Sequence, residues 1–165
     1  MKQFKSLICS TLLVLSCFVI MPHVKAAEYD HSKELVLVCE IVEYLEDGSS
    51  IITSVYEEVM TTRSNLYDKT GSKVYRYRNA DGVVLWTLTI SGEFRVIEGA
   101  SVTCTSASCS SQVFHENWSC TRKSAAPSGS QAVANGQFQK TLLGIVLDTE
   151  NVIVTLSCDT YGNLY

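Results

Sequence analysis

The sequence has few of the residues, and none of the short motifs, on which most enzyme predictions rest. It contains three histidines among 165 residues, and no G-x-S-x-G elbow is present to expose a serine nucleophile. A phosphate-binding P-loop, a dinucleotide fingerprint and an acidic calcium loop are also missing. We therefore predict no catalytic residue, no cofactor and no metal site. Carboxylate-pair hydrolysis stays open, because no sequence feature selects one pair of acids.

The sequence has one long apolar run, near its start, and no second one. Lys2 and Lys5 precede residues 7–21, an uncharged stretch, and Val24 and Ala26 are the small residues that a signal peptidase reads. The stretch is shorter than the roughly 20 residues of a membrane-spanning helix. We predict a signal peptide at 1–26, cleavage after Ala26 and a secreted, extracellular protein with no membrane span. An uncleaved anchor and a lipid-modified Cys17 are the alternatives.

Basic residues are scarce in the predicted mature chain, residues 27–165. Three of the 13 lysines and arginines lie in the signal, so 10 basic residues face 17 acidic ones and the net charge is −7. Such a chain is a poor partner for a phosphate backbone, and we predict no nucleic-acid partner. Nine of the acids fall within residues 27–62. A solvated strand face that protects a sheet edge explains them best, with a calcium or cationic-partner surface as the alternative.

The mature chain reads as strands and turns, with no convincing amphipathic helix and no internal repeat. The clearest strand has Val84, Trp86, Leu88 and Ile90 on alternate positions, which is typical of a half-buried strand. The predicted fold is one all-β domain at 27–165, an antiparallel β-sandwich of about eight strands. A small β-barrel is the alternative, because it closes the same alternating pattern.

Turn residues divide the strands. Asp47-Gly48 predicts a hairpin whose two central residues both have positive φ. The turn between the last two strands is placed at 148–150, and a further turn follows at 159–162. Three polar stretches are expected to be loops or weakly structured segments, namely 61–72, 106–111 and 124–136.

Five cysteines remain after signal cleavage, and a secreted protein is expected to oxidise them. Cys104 and Cys158 each end a β-branched strand, so we predict a disulfide between them. A second disulfide is predicted between Cys109 and Cys120, across a hairpin centred on residues 114–115. Cys39 is left in an apolar strand as a small buried residue. The odd count leaves a thiol free or paired with another chain, and a zinc site is the competing interpretation.

Aromatic residues give the one suggestive surface. Tyr75 and Tyr77 share a strand face and form a candidate ligand-binding face, on which sugar rings or peptides would stack. The alternative is that they fill the core, which is also the favoured interpretation of Trp86.

A further set of motifs lies at residues 85–89, 92–94, 104–105, 128–129, 143–144 and 154–158, and at Trp118. Together they resemble an uncharacterised family of small secreted β-proteins from Gram-positive, clostridia-like bacteria. The similarity covers most of residues 40–165. These motifs are turn glycines, a core tryptophan and a cysteine pair, and the family supplies no catalytic or binding residue. Cys39, Cys109 and Cys120 lie outside the shared pattern.

The sequence therefore predicts a secreted bacterial protein with a non-catalytic interaction or structural role at or outside the cell surface. A module that binds glycan or cell-wall material through Tyr75 and Tyr77 is the first alternative. A small secreted hydrolase is the second.

Overall fold

A computed structural model of the chain describes residues 34–59 and 64–165. Within these residues, eight antiparallel strands form two sheets in the orders β1-β2-β3-β4-β5 and β6-β7-β8. The predicted β-sandwich is therefore confirmed. The small barrel is wrong for this part of the chain, because the strands form two separate sheets. The strands are β1 (Leu35–Tyr44), β2 (Ser50–Glu58), β3 (Leu66–Arg78), β4 (Val84–Ile97), β5 (Ser101–Val113), β6 (Trp118–Ser128), β7 (Gln131–Leu142) and β8 (Ile145–Ser157).

The predicted signal peptide and its cleavage site after Ala26 lie outside the described residues, as does His31. Within the described ranges, no helix has the length and apolarity needed to cross a membrane.

The core lies between the two sheets and depends on the alternation along β4. Trp86, Leu88, Ile90 and Phe94 are each at most 1% exposed. The bulge between Glu93 and Phe94 shifts the register of β4 with β5 without exposing this row. The three-stranded sheet packs on β3, β4 and β5, so the most deeply buried side chains gather on the middle strands.

Small residues on β7 let the two sheets approach closely. Ala132 and Ala134 are fully buried. A Cβ atom at Gly92 on β4 would lie 2.8 Å from the Cβ of Ala132, and one at Gly136 would lie 2.8 Å from Cδ2 of Leu88. Such distances are too short for a side chain, so these two glycines permit the close spacing of the sheets, Gly92 against Ala132 and Gly136 against Leu88.

Two predicted turns differ in detail from the structure. Gly48 has φ 82°, but Asp47 does not have positive φ. The Asp47 carboxylate instead accepts hydrogen bonds from the backbone N–H and the hydroxyl of Ser49, which closes a longer loop between β1 and β2. The final hairpin turns at Leu143-Gly144, and the predicted turn at 148–150 lies inside β8.

The three stretches predicted as loops are largely strand. Residues 66–72 belong to β3, residues 106–111 to β5, and the segment 124–136 to β6 and β7 with a tight turn between them. In each case pairing with a neighbouring strand overrides the polar composition. The serine-rich part of β5, for example, pairs along the largely buried strand β4, with Cys109 opposite Ile90.

β1 is an edge strand, and all ten of its residues are exposed. The expectation of a buried Cys39 is therefore wrong, because the smaller sheet does not extend over β1. The acidic side chains follow the solvated-face prediction in part. Glu40 accepts a hydrogen bond from the Ser54 hydroxyl (2.7 Å), which in turn accepts one from Arg76 Nη1 (2.6 Å).

We expect Gly92→Ala to lower the free energy of unfolding by roughly 1–3 kcal/mol, because the added methyl overpacks the contact between the sheets. The double variant Gly92→Ala/Ala132→Gly is expected to recover part of that loss. Urea unfolding followed by tryptophan fluorescence measures both. A Gly92→Ala protein as stable as the wild type would contradict the close contact.

Candidate functional site

Five aromatic side chains form a cluster in the centre of the sandwich. Trp86 is 1% exposed and stacks on Phe138 of the opposite sheet, with ring centroids 3.9 Å apart and planes 9° apart. Tyr75 and Tyr77 stack on Trp86 at 5.9 Å and 5.2 Å, and Trp118 meets Tyr77 edge-on at 6.0 Å. Trp86 is a core residue, as the strand alternation predicts.

The two tyrosines share the inner face of the larger sheet. Tyr75 lies opposite Leu88 and Tyr77 opposite Trp86, and directly opposed residues in a sheet share a face. Both are only partly buried. Tyr77 contacts both tryptophans, whereas Tyr75 lines a cavity together with Ile41 of β1 and Thr53 of β2. The aromatic face is therefore largely core, and Tyr75 is the member that borders a cavity.

A cleft of about 270 Å³ opens beside Tyr75, between the inner face of β1–β3 and the free edge of β8. The five-stranded sheet is wider than the three-stranded one, so this part of its inner face stays uncovered. Ile41 and Ile153 are 64% and 69% exposed and give the cleft apolar walls. The cleft is lined by Ile41, Thr53, Lys73, Tyr75, Ile153, Val154 and Thr155.

Lys73 connects the two sides of the cleft. Its Nζ donates a hydrogen bond of 3.0 Å to the backbone carbonyl of Thr155, on the outer edge of β8. Burial lowers the pKa of Lys73, and the nearby Cys39 acts in the opposite direction. A partly buried ammonium at this position blocks an otherwise free strand edge.

Carboxylates surround the Tyr75 side of the cleft. Burial raises the pKa of the Tyr75 hydroxyl, and the charges of Glu150 and Glu43 raise it further. Burial also raises the pKa of Glu150, with added effects from Asp148 and Asp47. The cleft therefore presents one aromatic ring, one ammonium and several acceptor groups in a shallow, half-covered space.

This set of groups is suited to binding rather than to bond cleavage. An aromatic face with a few polar groups at its margin orients a ligand, whereas a triad needs a base held beside a nucleophile. His115 is exposed on the β5–β6 connection, where its Nδ1 accepts the backbone N–H of Asn117 (3.3 Å). Among residues 34–59 and 64–165, no three His, Cys, Asp or Glu side chains gather in a way that would hold a metal ion.

Cys104 and Cys158 are buried in the same core, at one end of the sandwich. Their backbone N–H groups donate to the carbonyls of the adjacent residues Gly129 and Ser130, at 2.7 Å and 3.1 Å. Burial, with smaller contributions from Asp159 and Cys104 and an opposing one from Lys69, raises the pKa of the Cys158 thiol to about 11. The two cysteines are thus neighbours, Cys104 on β5 and Cys158 directly after β8.

Cys109 and Cys120 are less well placed for the second predicted disulfide. Cys104 lies beside Gly129, and Lys123 Nζ reaches the Ser111 hydroxyl at 3.4 Å. This alignment puts Cys109 about four residues along the strand from Cys120, roughly 13 Å at 3.3 Å per residue. A disulfide needs Cα atoms within about 7 Å. No disulfide joins any of the five cysteines in the described part of the chain, so both pairings stay predictions.

Sequence reasoning missed most of the cleft. Ile41, Thr53, Lys73 and Ile153 were not candidates, although Lys73 is in phase with Tyr75 and Tyr77 along β3 and so had to share their face. No comparable signal places Ile153 nearby, because it lies on the other sheet.

No protein-family model matches the sequence, and no curated protein or solved structure matches it either. The fold and the cleft define the chain as an all-β, two-sheet sandwich protein with a half-covered aromatic cleft. The resemblance to small secreted clostridia-like proteins stays a prediction.

We expect secreted material to carry the Cys104–Cys158 disulfide. It closes a loop of about 55 residues, which the chain-entropy model values at about 4 kcal/mol. Peptide mapping without reductant identifies the bond. Reductant is expected to lower the melting temperature of the wild type but not that of Cys104→Ser. Cys109→Ser is the control, and reductant is expected to lower its melting temperature as it does for the wild type. Free thiols at both Cys104 and Cys158 in secreted material would contradict the pairing.

Proposed function

We propose that this chain is an exported, non-catalytic binding protein that acts at or outside the cell surface. The signal-like residues 1–26 and the resemblance to small secreted β-proteins support export. The observation that carries the binding role is the cleft at Tyr75, where a wide sheet extends past a narrower one and leaves part of an aromatic inner face open.

Glycan or cell-wall material is the ligand class that the cleft suits best. A sugar ring has an apolar face that stacks on an aromatic side chain and hydroxyl groups at its rim that need hydrogen-bond partners. The Tyr75 ring offers the first, and it is braced from behind by Trp86, 5.9 Å away. Thr53 and Lys73 line the cleft and supply polar groups around it, and the charge of Glu150 acts on the Tyr75 hydroxyl. A flat, shallow site of this kind favours a polymer that lies across it.

The braced ring also limits how much the site has to reorganise on binding. Tyr75 is held by its neighbours before any ligand arrives, so little side-chain entropy is lost on binding. Tyr77, enclosed by Trp86 and Trp118, is expected to support the core and to contribute to binding only indirectly.

We expect Tyr75→Ala to weaken binding to purified cell wall, or to a sugar identified on a glycan array, by at least about tenfold, equivalent to about 1.4 kcal/mol. Tyr75→Phe keeps the ring and is expected to retain most of the affinity. Tyr161→Ala is the matched control, because Tyr161 is 61% exposed and lies outside the cleft lining.

The melting temperature of each variant separates a lost contact from a lost fold. Absence of binding by the wild type to both cell wall and glycans would contradict the glycan proposal. So would a folded Tyr75→Ala protein that binds as well as the wild type.

A further inference from the structure

The end of the β7–β8 hairpin exposes a group of large apolar side chains, here named the apolar tip. Leu143 is 95% exposed and Ile145 is 65% exposed. Their neighbours are between 49% and 57% exposed, which completes the tip as Leu142, Leu143, Ile145, Val146 and Leu147. Contiguous apolar surface of this kind on a soluble domain marks a contact site.

The turn of this hairpin is unfavourable for the residue it holds. Leu143 has φ 51° and Gly144 has φ 79°, and Leu143 is the one non-glycine residue with positive φ in the described ranges. Two successive positive φ values define the hairpin turn that favours Asn-Gly. A leucine there is strained and, at 95% exposure, buries almost nothing. The stability of the fold does not explain a leucine at position 143, whereas an apolar contact made by the tip explains it.

The tip is apolar on every side. Leu142 pairs with Ile145 on one face of the hairpin, Val146 lies opposite Thr141 on the other face, and Leu143 projects from the end. A groove on a protein surface covers one face of a hairpin and leaves the other face exposed to water. A lipid phase surrounds all sides of such a tip.

The dimensions and the base of the tip also fit a lipid interface. Lys140 pairs with Asp148 directly behind it, which places a polar belt there. Beyond that pair, each strand extends two or three residues, roughly 7–10 Å at about 3.3 Å per residue. Amphipathic elements bury about 5–10 Å into the boundary between headgroups and acyl chains.

Neighbouring elements hold the tip and add an aromatic residue at the same end of the sandwich. The backbone N–H of Thr141 donates to the carbonyl of Asn117 (2.7 Å), which ties the base of the hairpin to the β5–β6 connection. That connection carries Phe114, which is 59% exposed. Aromatic side chains are favoured at membrane interfaces.

The charges behind the tip indicate which headgroups it tolerates. Asp148 lies at the base of the hairpin and Glu150 two residues further along β8, and the charges of Asp148 and Asp47 add to the larger effect of burial in raising the pKa of Glu150. An anionic membrane surface would repel these carboxylates. The contact therefore has to come from apolar insertion and not from attraction to anionic lipid.

We propose that the apolar tip inserts into the interface of a lipid bilayer and anchors the folded domain peripherally, favouring neutral over anionic headgroups. This anchoring site is separate from the Tyr75 cleft and does not depend on a glycan ligand.

Flotation of the mature protein with phosphatidylcholine vesicles tests the proposal. We expect the wild type to float with neutral vesicles, and to do so less when phosphatidylglycerol is included at low salt. Leu143→Asn is expected to reduce binding at least tenfold while keeping or raising the melting temperature, because asparagine suits the turn. Leu66→Asn is the control and should bind normally. It changes a 55% exposed leucine at the start of β3, outside the apolar tip.

A second variant reports insertion directly. The emission of a tryptophan introduced by Leu143→Trp is expected to shift to the blue on vesicle addition and to be quenched by lipids brominated on the acyl chain. A wild type that does not float with neutral vesicles, or a folded Leu143→Asn protein that floats equally well, would overturn the proposal. Self-association that Leu143→Asn abolishes, in the absence of vesicle binding, would assign the tip to a second copy of the chain instead.

Discussion

The stacked contact between Trp86 and Phe138 is the interaction on which the rest of this structure depends. It joins β4, an inner strand of the larger sheet, to β7, the middle strand of the smaller one, with ring planes 9° apart. Ala132, Ala134 and Gly136 precede Phe138 on the same face of β7, where Ala132 faces Gly92 and Gly136 faces Leu88 of β4. This complementarity brings the sheets close enough to exclude water, and the burial of apolar surface that follows stabilises the fold.

The same arrangement explains why the cleft exists. A three-stranded sheet centred on β7 covers β3, β4 and β5 of the five-stranded sheet and leaves β1, at the far edge, without a covering layer. Tyr75 is close enough to Trp86 to be braced by it, and far enough from β7 to remain partly open. The hairpin that ends in Leu143 belongs to the smaller sheet and extends past this core, which leaves its apolar residues without a partner inside the domain.

Much of the fold could be predicted from local patterns. The alternation along β4 identified both a strand and its buried face, and Gly82 ends the β3–β4 connection with the positive φ expected of a turn glycine. Polar composition misled the predictions at residues 66–72, 106–111 and 124–136. Serine and threonine side chains can occupy the exposed face of a sheet. Their backbone groups form hydrogen bonds with a neighbouring apolar strand as well as those of apolar residues do. Strand pairing is a long-range property that composition does not encode.

The sequence by itself determined the class of the molecule: an acidic, strand-rich chain with a signal-like start, few histidines and a central tryptophan. These properties follow from residue types and their period along the chain. Only the tertiary structure decided that Tyr75 borders a cavity while Tyr77 packs against both tryptophans, that Cys104 and Cys158 are neighbours, and that Leu143 is left exposed in a strained turn. Each depends on where one sheet ends over the other, and that is fixed by contacts between residues far apart in sequence.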